Sequence, residues 1–488
     1  MMTAKINNRS ESFDSEFEIL VGDEFEHVRF PPPKSDDLNG DNNDTVVTMT
    51  TTETSHRRPA LTAEEFAEFR DEDGRIVDEH ALRKAVFKGG VDPAIRREVW
   101  QFVFGLYPCT TTLRERQVLL SDYQAKYSAL KNRWKTWLAM TSNSGDMEEV
   151  GLTAPYLPDL TAGGTGSPAD TTPTTNVQQL QFVDIQAQVY AGRLTITDID
   201  QLRNYIRIID KDVPRTDRNV LFYLGDKNPN LLLLRDVLVT YATFHPRVGY
   251  TQGMNDILSR FLYVFQNEVE AYWCFNNYLD KIQSEFLEEG MVRKLELLQQ
   301  LLKDLDEDLY NYLVQTEVGD LMFCHRWLIL GFKREFSYDD SLRCFEILSS
   351  QHLELCSMEA EQMLNKERQK DFQQQGGSIR MADAVFNTEY TFDLFMCVGI
   401  LIEYRDRIFK CTDCADVFFV VNSLSLNMDL DVVLTKAEGT FHAYCRKLAN
   451  NSFEFVDFPA TGAATKQHRR LTVKYIPDMT PLQSLMFD

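Results

Sequence analysis

A helical period dominates the spacing of apolar residues along this chain. Apolar positions recur every three or four residues in many segments, and no segment alternates apolar and polar residues as a half-buried strand would. The clearest segments are 231–244, 254–265, 269–279, 292–305, 321–332, 342–348, 390–403, 417–426 and 431–448. The pattern therefore predicts an all-α fold.

Before residue 231, the sequence also contains patterns that are typical of helix starts and helix ends. Thr62 and Glu65 have the spacing of a capping box, so we expect ordered structure to begin near Thr62. Asp92 followed by Pro93 predicts the first turn of a helix. Its apolar face continues to Leu106, and we expect the helix to stop before Pro108.

Polar stretches divide the chain into an arm, a helical domain and a tail. Residues 1–60 are rich in Pro, Asn, Thr and acidic residues, which predicts a disordered acidic N-terminal arm. The helical domain is assigned to 85–447, with surface insertions near 140–176 and 357–382 where the apolar period is lost. Residues 448–488 have no clear period and are assigned as an irregular C-terminal tail.

Composition and charge narrow the possible partners. The 488 residues are 43% hydrophobic and 26% charged, which is ordinary for a globular protein. A formal net charge of −23 repels phosphate backbones, so we expect no nucleic-acid partner. The N-terminus has no apolar signal region, and the most apolar run, 395–402, is too short to span a bilayer. We therefore expect a cytoplasmic protein without a transmembrane segment.

Neither the cysteine pattern nor any common catalytic motif indicates a metal site or a catalytic centre in this chain. Most of the nine cysteines lie in apolar helical patterns, which is typical of reduced thiols. Cys411 and Cys414 form a lone C-x-x-C without a second pair or nearby histidines, so we predict no metal site. No P-loop, Ser/His/Asp triad or Gly-rich dinucleotide turn is present, so no tightly bound nucleotide is expected.

The segment 205–218 places an arginine just beyond a helix. Upstream apolar residues share one helical face: Ile199, Leu202, Ile206 and Ile209. Pro214 should end this helix near Val213, which leaves Arg215 in a loop from which it could reach another molecule. Taken alone, Arg215 is more simply interpreted as one solvated charge in a charged segment.

The segment 245–259 places a glutamine between two helices. Gln252 is flanked by Gly249 and Gly253, which permit unusual backbone angles and the close approach of a partner. An amide at a helix N-terminus could position water or phosphate. Taken alone, the simpler interpretation is a corner between helices in which Gln252 caps the second helix.

Together the two segments match a known pattern. Ile209, Asp212 and Arg215 stand in an I-x-x-D-x-x-R motif, and Tyr250 and Gln252 stand in a Y-x-Q motif. These resemble the two fingerprint motifs of the TBC family of Rab GTPase-activating proteins. Because the two motifs occur together and in order, the resemblance is far more specific than either motif alone.

Further motifs extend the resemblance over roughly residues 85–447. The segment 89–100 is similar to the family's opening motif, 323–336 resembles a later helical motif, and 392–406 is similar to its closing region. Phe345 departs from the pattern, since the family often has tryptophan there. The two insertions are not typical either. These departures concern the choice of partner more than the two motifs.

The resemblance implies roles for individual residues. It implies that Arg215 stabilises charge on the γ-phosphoryl group of GTP bound to a Rab, and that Gln252 positions the attacking water. Partner binding is assigned to the residues around them: Ile209, Asp212, Tyr250 and Gly253. Of these, Asp212 and Tyr250 are expected to hold the loops rather than to touch the nucleotide.

The resemblance also implies an activator and not a complete enzyme. The chain would complete the active site of a Rab, with GTP and Mg²⁺ belonging to that partner and no cofactor of its own. It would regulate vesicle traffic from the cytoplasm, with transient recruitment to endomembranes. The alternative is a catalytically silent scaffold that binds a Rab or an autophagy modifier. The presence of both Arg215 and Gln252 argues against that alternative.

Two short motifs in the N-terminal arm suggest a separate partner. Acidic residues precede Phe17 and Leu20, and a similar arrangement recurs at Phe25 and Val28. Both resemble motifs that add a strand to ubiquitin-like autophagy modifiers, with the aromatic and aliphatic side chains filling two pockets. The alternative is an acidic-aromatic stretch without a partner.

Overall fold

A computed structural model describes residues 57–142, 174–354, 389–451, 454–456 and 470–472. They all lie in one unit of the chain, Ser55–Asp488. The predicted arm before residue 57, with both aromatic motifs, and most of the two predicted insertions lie outside the described residues.

Helices make up most of the described structure, which confirms the all-α prediction. The helices of the first part are α1 (Ala63–Glu68), α2 (Glu79–Gly89), α3 (Arg96–Val103), α4 (Leu113–Ser142), α5 (Thr174–Arg193), α6 (Ile199–Asp212), α7 (Pro229–Phe244), α8 (Met254–Phe265) and α9 (Glu268–Ile282). Those of the second part are α10 (Glu288–Leu305), α11 (Glu307–Gln315), α12 (His325–Ile329), α13 (Tyr338–Ser349), α14 (Phe392–Glu403), α15 (Arg405–Ile408), α16 (Cys414–Ser423) and α17 (Leu430–Asn451). Short 3-10 turns lie at Val213–Arg215, Leu221–Tyr223, Gln283–Phe286 and Met322–Cys324.

The C-terminal tail contains the described strands. The last helix continues to Asn451, beyond the predicted tail boundary at residue 448, and β1 (Glu454–Val456) then pairs antiparallel with β2 (Arg470–Thr472). Strands of three residues are too short to show an alternating pattern in a sequence. The prediction of an irregular tail is therefore wrong over these residues.

Of the three helix boundaries predicted between residues 62 and 108, one is confirmed and two are wrong. The capping box at Thr62 is formed, with reciprocal hydrogen bonds to Glu65. The predicted start at Asp92 is wrong, because its carboxylate accepts from the Ala94 amide (2.8 Å) in a turn ahead of α3. The predicted stop near Pro108 is also wrong. The helix ends at Val103, and two residues later Gly105 has a positive φ of 66°.

Three further helices differ from the sequence pattern. The apolar segment 321–332 is a 3-10 turn followed by the short α12, and Leu321 and Phe332 at its two ends both take left-handed backbone angles. The two long helices α4 and α5 were not singled out by the pattern, since much of each is polar or exposed. They pack against each other, and their ends reach into the predicted insertion near 140–176.

The core consists of two buried apolar clusters. The first cluster draws mainly on α1 to α9, with Trp100 packed against Phe261 and Phe345 at ring-centroid distances of 5.7 Å each. The second cluster draws mainly on α10 to α17 and includes the buried Trp327. Helix α13 contributes to both clusters, so it lies where the two halves of the core meet.

A buried glutamate ties the opening motif to α13. Glu346 accepts hydrogen bonds from the Val91 amide (2.7 Å), from Arg96 Nε (2.9 Å) and from Trp100 Nε1 (2.7 Å). Burial raises the pKa of Glu346, and Arg96 offsets that effect only in part. Arg96 and Trp100 are therefore scaffold residues that connect distant parts of the chain.

Candidate functional site

Helix α6 delivers Arg215 to the surface. Asp198 caps the helix by accepting from the amides of Asp200 and Gln201, and the apolar face buries Leu202 and Ile209. The helix ends at Asp212, as Pro214 predicts, and a 3-10 turn of Val213–Arg215 follows. Residues 213–217, called the Arg215 loop below, thus follow directly from a helix packed on the core.

Arg215 is held at the surface by a buried carboxylate. Its side chain is 46% exposed, and its Nη2 donates to Asp212 Oδ1 at 2.8 Å. Asp212 itself is only 2% exposed. The guanidinium is therefore anchored at one edge while much of the group stays accessible to another molecule.

Glycines shape the second loop, residues 245–253, called the Gln252 loop below. Gly249 has φ +63°, and a Cβ on it would lie 2.2 Å from the ring of Tyr205. Gly253 has φ +103°, and a Cβ there would lie 2.9 Å from Leu330 Cδ2. Both positions need glycine for the backbone angle and for the space, so the path of this loop is set by its backbone.

Gln252 is exposed, and no hydrogen bond of its side chain is found within the part of the chain that the structure describes. Helix α8 begins at Met254, and its N-cap, Gly253, has no side-chain cap. The interpretation of Gln252 as a helix cap is therefore wrong. Asn255 Oδ1 accepts from the Gly253 amide instead, at 3.1 Å.

Asp212 joins the two loops directly. Its Oδ1 accepts from Arg215, and its Oδ2 accepts from the Tyr250 hydroxyl at 2.6 Å. Burial and the Asp212 charge both raise the pKa of Tyr250, so the phenol keeps its proton and donates to the carboxylate. One carboxylate thus sets the position of Arg215 against the segment that carries Gln252.

A second connection runs through Asn255. Its Nδ2 donates to Thr216 Oγ1 at 2.9 Å, and Thr216 Oγ1 donates to the Asp212 carbonyl oxygen at 2.9 Å. Asn255 Oδ1 also lies 3.3 Å from the Tyr250 hydroxyl. Asn255 and Thr216 are both buried, so these polar contacts are shielded from water.

The residues assigned to partner binding are all buried. The exposed fraction is 0% for Ile209, 2% for Asp212 and 4% for Tyr250, and Gly253 is also buried. Direct contact of the Ile209 side chain with a partner is therefore a wrong expectation for this conformation, because that side chain belongs to the first core cluster. Asp212 and Tyr250 hydrogen-bond to each other between the two loops, and the assignment of the four residues to partner binding stays a prediction.

Sequence reasoning missed an exposed loop that follows Arg215. It consists of residues 218–228 and is called the exposed leucine loop below. Leu221 is 85% exposed and Leu224 is 57% exposed. The loop is held by its own polar side chains, since Arg218 donates to the carbonyl oxygens of Tyr223 and Gly225, and Asn228 donates to that of Leu224. The only available signal was apolar residues in a segment without helical period.

Sequence reasoning also missed the role of Lys333. This residue lies in the turn between α12 and α13, and its ammonium contacts both Asp217 and Asp256. The residue lies in the motif segment 323–336, but no local pattern indicates its partners, because they are far away in sequence.

Exposed basic side chains occur on α6, in the Gln252 loop and in the turn before α13, although the chain as a whole is acidic. On the surface of α6 the exposed basic residues include Arg203, Arg207 and Lys211. Arg247 is exposed in the Gln252 loop, and the exposed Arg334 donates to Asp256 in α8 (3.1 Å). Carboxylates accompany these cations, since Asp200 pairs with Arg203 at 3.2 Å and Asp256 accepts from Arg334.

Over the ranges that the structure describes, no cluster of three or more metal-ligating side chains occurs. Within the same ranges, none of the helices combines the length and the apolar character needed to cross a bilayer.

Comparisons with known proteins identify the fold and the family. The model of the Rab-GTPase-TBC domain family matches residues 93–370. The human protein TBC1 domain family member 17 is 33% identical over 320 residues, which are 65% of this chain and 41% of that protein. GTPase-activating protein GYP7 from Yarrowia lipolytica is 27% identical over 417 residues, 80% of this chain and 45% of that protein.

A solved structure agrees with the observed fold. The crystal structure of the Ypt/Rab-GAP domain of Gyp1p matches with a TM-score of 0.51 and 17% identity, over 78% of this chain and 97% of that one. The chain spans less than half the length of the two sequence relatives. Since the family model covers more than half of the chain, the protein belongs to the Rab-GTPase-TBC domain family.

Proposed function

We propose that this chain accelerates GTP hydrolysis by a Rab-family GTPase, to which it supplies Arg215 and Gln252. The observation that carries the proposal is the pairing of an exposed arginine and an exposed glutamine on two loops that share the Asp212 carboxylate. Family membership supports a Rab as the partner, and the name of the Yarrowia relative supports GTPase activation.

Arg215 would stabilise negative charge during phosphoryl transfer. Charge spreads over the γ-phosphoryl oxygens in the transition state, and catalysis depends mainly on positioning and on electrostatic stabilisation. A guanidinium has five N–H donors in one plane, and Asp212 Oδ1 accepts from Nη2 of Arg215. The remaining edge could donate to phosphate oxygens while the ion pair limits the freedom of the side chain.

Gln252 would orient the attacking water. A primary amide offers a donor and an acceptor, which are the two groups needed to hold a water in line with the phosphorus atom. The side chain is solvent-exposed and makes no hydrogen bond to the described residues. GTP and Mg²⁺ would belong to the Rab, and the chain itself would contribute no cofactor.

The exposed leucine loop would contact the same partner. Leu221 follows Arg215 closely in the chain, so the two residues are at most about 20 Å apart even for an extended backbone. A protein interface of ordinary size extends over such a distance. Leu221 and Leu224 would therefore pack on an apolar surface of the GTPase beside its nucleotide.

A single-turnover assay tests the proposal. GTP-loaded Rabs from a panel are mixed with the chain, and hydrolysis is compared for the wild type, Arg215→Ala and Gln252→Ala. Strong stimulation of at least one Rab that both substitutions reduce supports an activator. Binding of a Rab without any stimulation would instead favour the silent scaffold.

A matched substitution controls for general effects of losing a surface arginine. Arg293 on α10 has a side-chain exposure of 48%, close to the 46% of Arg215, and is also paired with carboxylates. Arg293→Ala should leave stimulated hydrolysis unchanged.

Binding of an autophagy modifier through the N-terminal arm is a separate proposal, and it rests on the sequence motifs alone. A peptide of residues 12–23 should bind the modifier weakly, and replacement of Phe17 by Ala should abolish that binding. If neither this peptide nor one containing Phe25 and Val28 binds, the arm has no such role.

A further inference from the structure

A buried ammonium group connects the two loops from a third segment of the chain. The Lys333 side chain is 4% exposed, and its Nζ donates to Asp217 Oδ2 (2.7 Å), Asp256 Oδ1 (3.1 Å) and Ser259 Oγ (2.7 Å). An ammonium has three N–H groups, so these acceptors use all of them.

The acceptors belong to the two loops or to the helix that follows. Asp217 ends the Arg215 loop and has a left-handed φ of 46°. Asp256 lies in the first turn of α8 and Ser259 in the next, and α8 begins directly after the Gln252 loop. Lys333 therefore donates hydrogen bonds to Asp217, two residues after Arg215, and to Asp256, four residues after Gln252.

The charges of this cluster favour a rigid connection. Asp256 is 5% exposed, and its Oδ2 also accepts from Arg334 at 3.1 Å. Burial raises the pKa of Asp256, but the nearby charges of Lys333 and Arg334 outweigh burial and lower the pKa below its usual value. The carboxylate is thus ionised at neutral pH, and salt screens such a buried pair much less than a surface pair.

The backbone around Lys333 keeps the ammonium in place. Gly331 and Phe332, immediately before it, both have positive φ angles, and the main chain turns sharply there. Leu330, just upstream, is the residue that approaches Gly253. Through Leu330 this segment packs close to Gly253 of the Gln252 loop. Through Lys333 it forms ion pairs with the carboxylates of Asp217 and Asp256.

We propose that Lys333 is a positioning residue for the GTPase-activating reaction. It fixes the spacing between the Arg215 loop and the Gln252 loop, so that the guanidinium and the amide act on one nucleotide together. The proposal rests on the proposed function and is independent of the Asp212–Tyr250 connection. It predicts that loosening this cluster lowers the maximal stimulated rate without weakening partner binding.

Asp217→Asn is the primary test, because it removes one charged contact and keeps the shape of the side chain. Asparagine tolerates a left-handed backbone, and Asp256 would keep both of its cationic partners. We expect the maximal stimulated rate to fall about ten- to a hundredfold, as for a small misplacement of a catalytic group. The activator concentration for half-maximal stimulation and the melting temperature should stay close to those of the wild type.

A second variant and a control sharpen the result. Lys333→Met removes the whole connection and should lower the maximal rate further, whereas Lys333→Arg keeps the charge and should restore part of it. If Lys333→Met does not fold, Asp217→Asn decides alone. Asp200→Asn, which removes an exposed carboxylate paired with Arg203 at 3.2 Å, should change nothing.

A double-mutant cycle separates positioning from stability. If Asp217 acts through Arg215, then Arg215→Ala should cost less in the Asp217→Asn background than in the wild type. Fully additive losses, or a drop in melting temperature with an unchanged maximal rate, would overturn the proposal. Failure of the wild type to stimulate any Rab would overturn the proposed function as well, whereas an inactive Arg215→Ala beside a fully active Asp217→Asn would overturn only the role of Lys333.

Discussion

The Arg215 loop and the Gln252 loop place their functional side chains by different means. Arg215 is held by its own side chain, through an ion pair of 2.8 Å with a carboxylate that is 2% exposed. Gln252 has no side-chain bond to the described residues and is placed by a backbone that turns at Gly249 and Gly253.

The difference follows from the chemistry of the two groups. An arginine side chain has about 2 kcal/mol of rotamer entropy to lose, and a fixed carboxylate removes part of that freedom before a partner binds. A glutamine that must hold water needs its donor and its acceptor unoccupied, so a tether to its amide would interfere. The rigid element is therefore the side chain in one loop and the main chain in the other.

The largest effect should come from removing the guanidinium. Arg215→Ala should reduce stimulated hydrolysis by about 10³- to 10⁵-fold, the contribution of an arginine finger. The melting temperature should fall only modestly, because the guanidinium is 46% exposed and the Asp212 carboxylate keeps its hydrogen bond from Tyr250. Arg215→Lys should restore little, because a point charge lacks the planar fork. Near-normal activity of Arg215→Ala on a responsive Rab would show that the assignment is wrong.

Removing the amide should have the next largest effect. Gln252→Ala should slow stimulated hydrolysis about a hundredfold or more, comparable to the loss of one transition-state hydrogen bond. Its stability should be unchanged, as for Gln300→Ala at another exposed position. These rates and melting curves are measured side by side.

The partner provides a complementary test of Gln252. A Rab that lacks its own switch glutamine should still respond to the wild-type chain, because water positioning comes from this protein. Suppose that Gln252→Ala still stimulates hydrolysis by a normal Rab, whereas the wild-type chain does not stimulate the altered Rab. The GTPase then orients its own water, and only the arginine of this chain contributes.

Gly249→Ala tests whether the backbone places Gln252. A Cβ would meet the Tyr205 ring at 2.2 Å with φ at +63°, so we expect a loss of about 1–3 kcal/mol in unfolding free energy or a displaced loop with reduced activity. Gly192→Ala is the matched control. Among the described residues, no atom outside the adjacent backbone of α5 lies within 4 Å of the added Cβ, and stability should rise slightly. Thermal unfolding and hydrolysis are measured for both variants.

The smallest expected effect concerns docking beside the Arg215 loop. Leu221→Ser should raise the activator concentration for half-maximal stimulation about tenfold and leave the maximal rate unchanged, since it removes a contact and not a catalytic group. Phe419→Ser on α16, at a 73% exposed position, is the control and should have no effect. A lower maximal rate without a change in half-maximal concentration would contradict a docking role for Leu221.

Much of the helical framework could be predicted from the sequence. Helix α8 has the bounds 254–265 that its apolar period predicts, and α6 ends where Pro214 predicts. The exceptions are elements whose local signal is weak. Helix α4 spans Leu113–Ser142 with many exposed positions, and the segment 321–332 breaks at left-handed residues that its apolar period does not reveal.

The sequence by itself determined most of the helices, the glycine turns and the two motifs typical of the family, because these depend on residues close together in the chain. Only the tertiary structure decided that Ile209 is a core residue, that Asp212 receives both Arg215 and Tyr250, and that Lys333 joins Asp217 to Asp256. Apart from the Asp212–Arg215 pair, whose members are three residues apart, these contacts connect residues that are distant in the chain. A periodic pattern records which face of a helix is apolar, but it does not record which distant charge meets a given carboxylate.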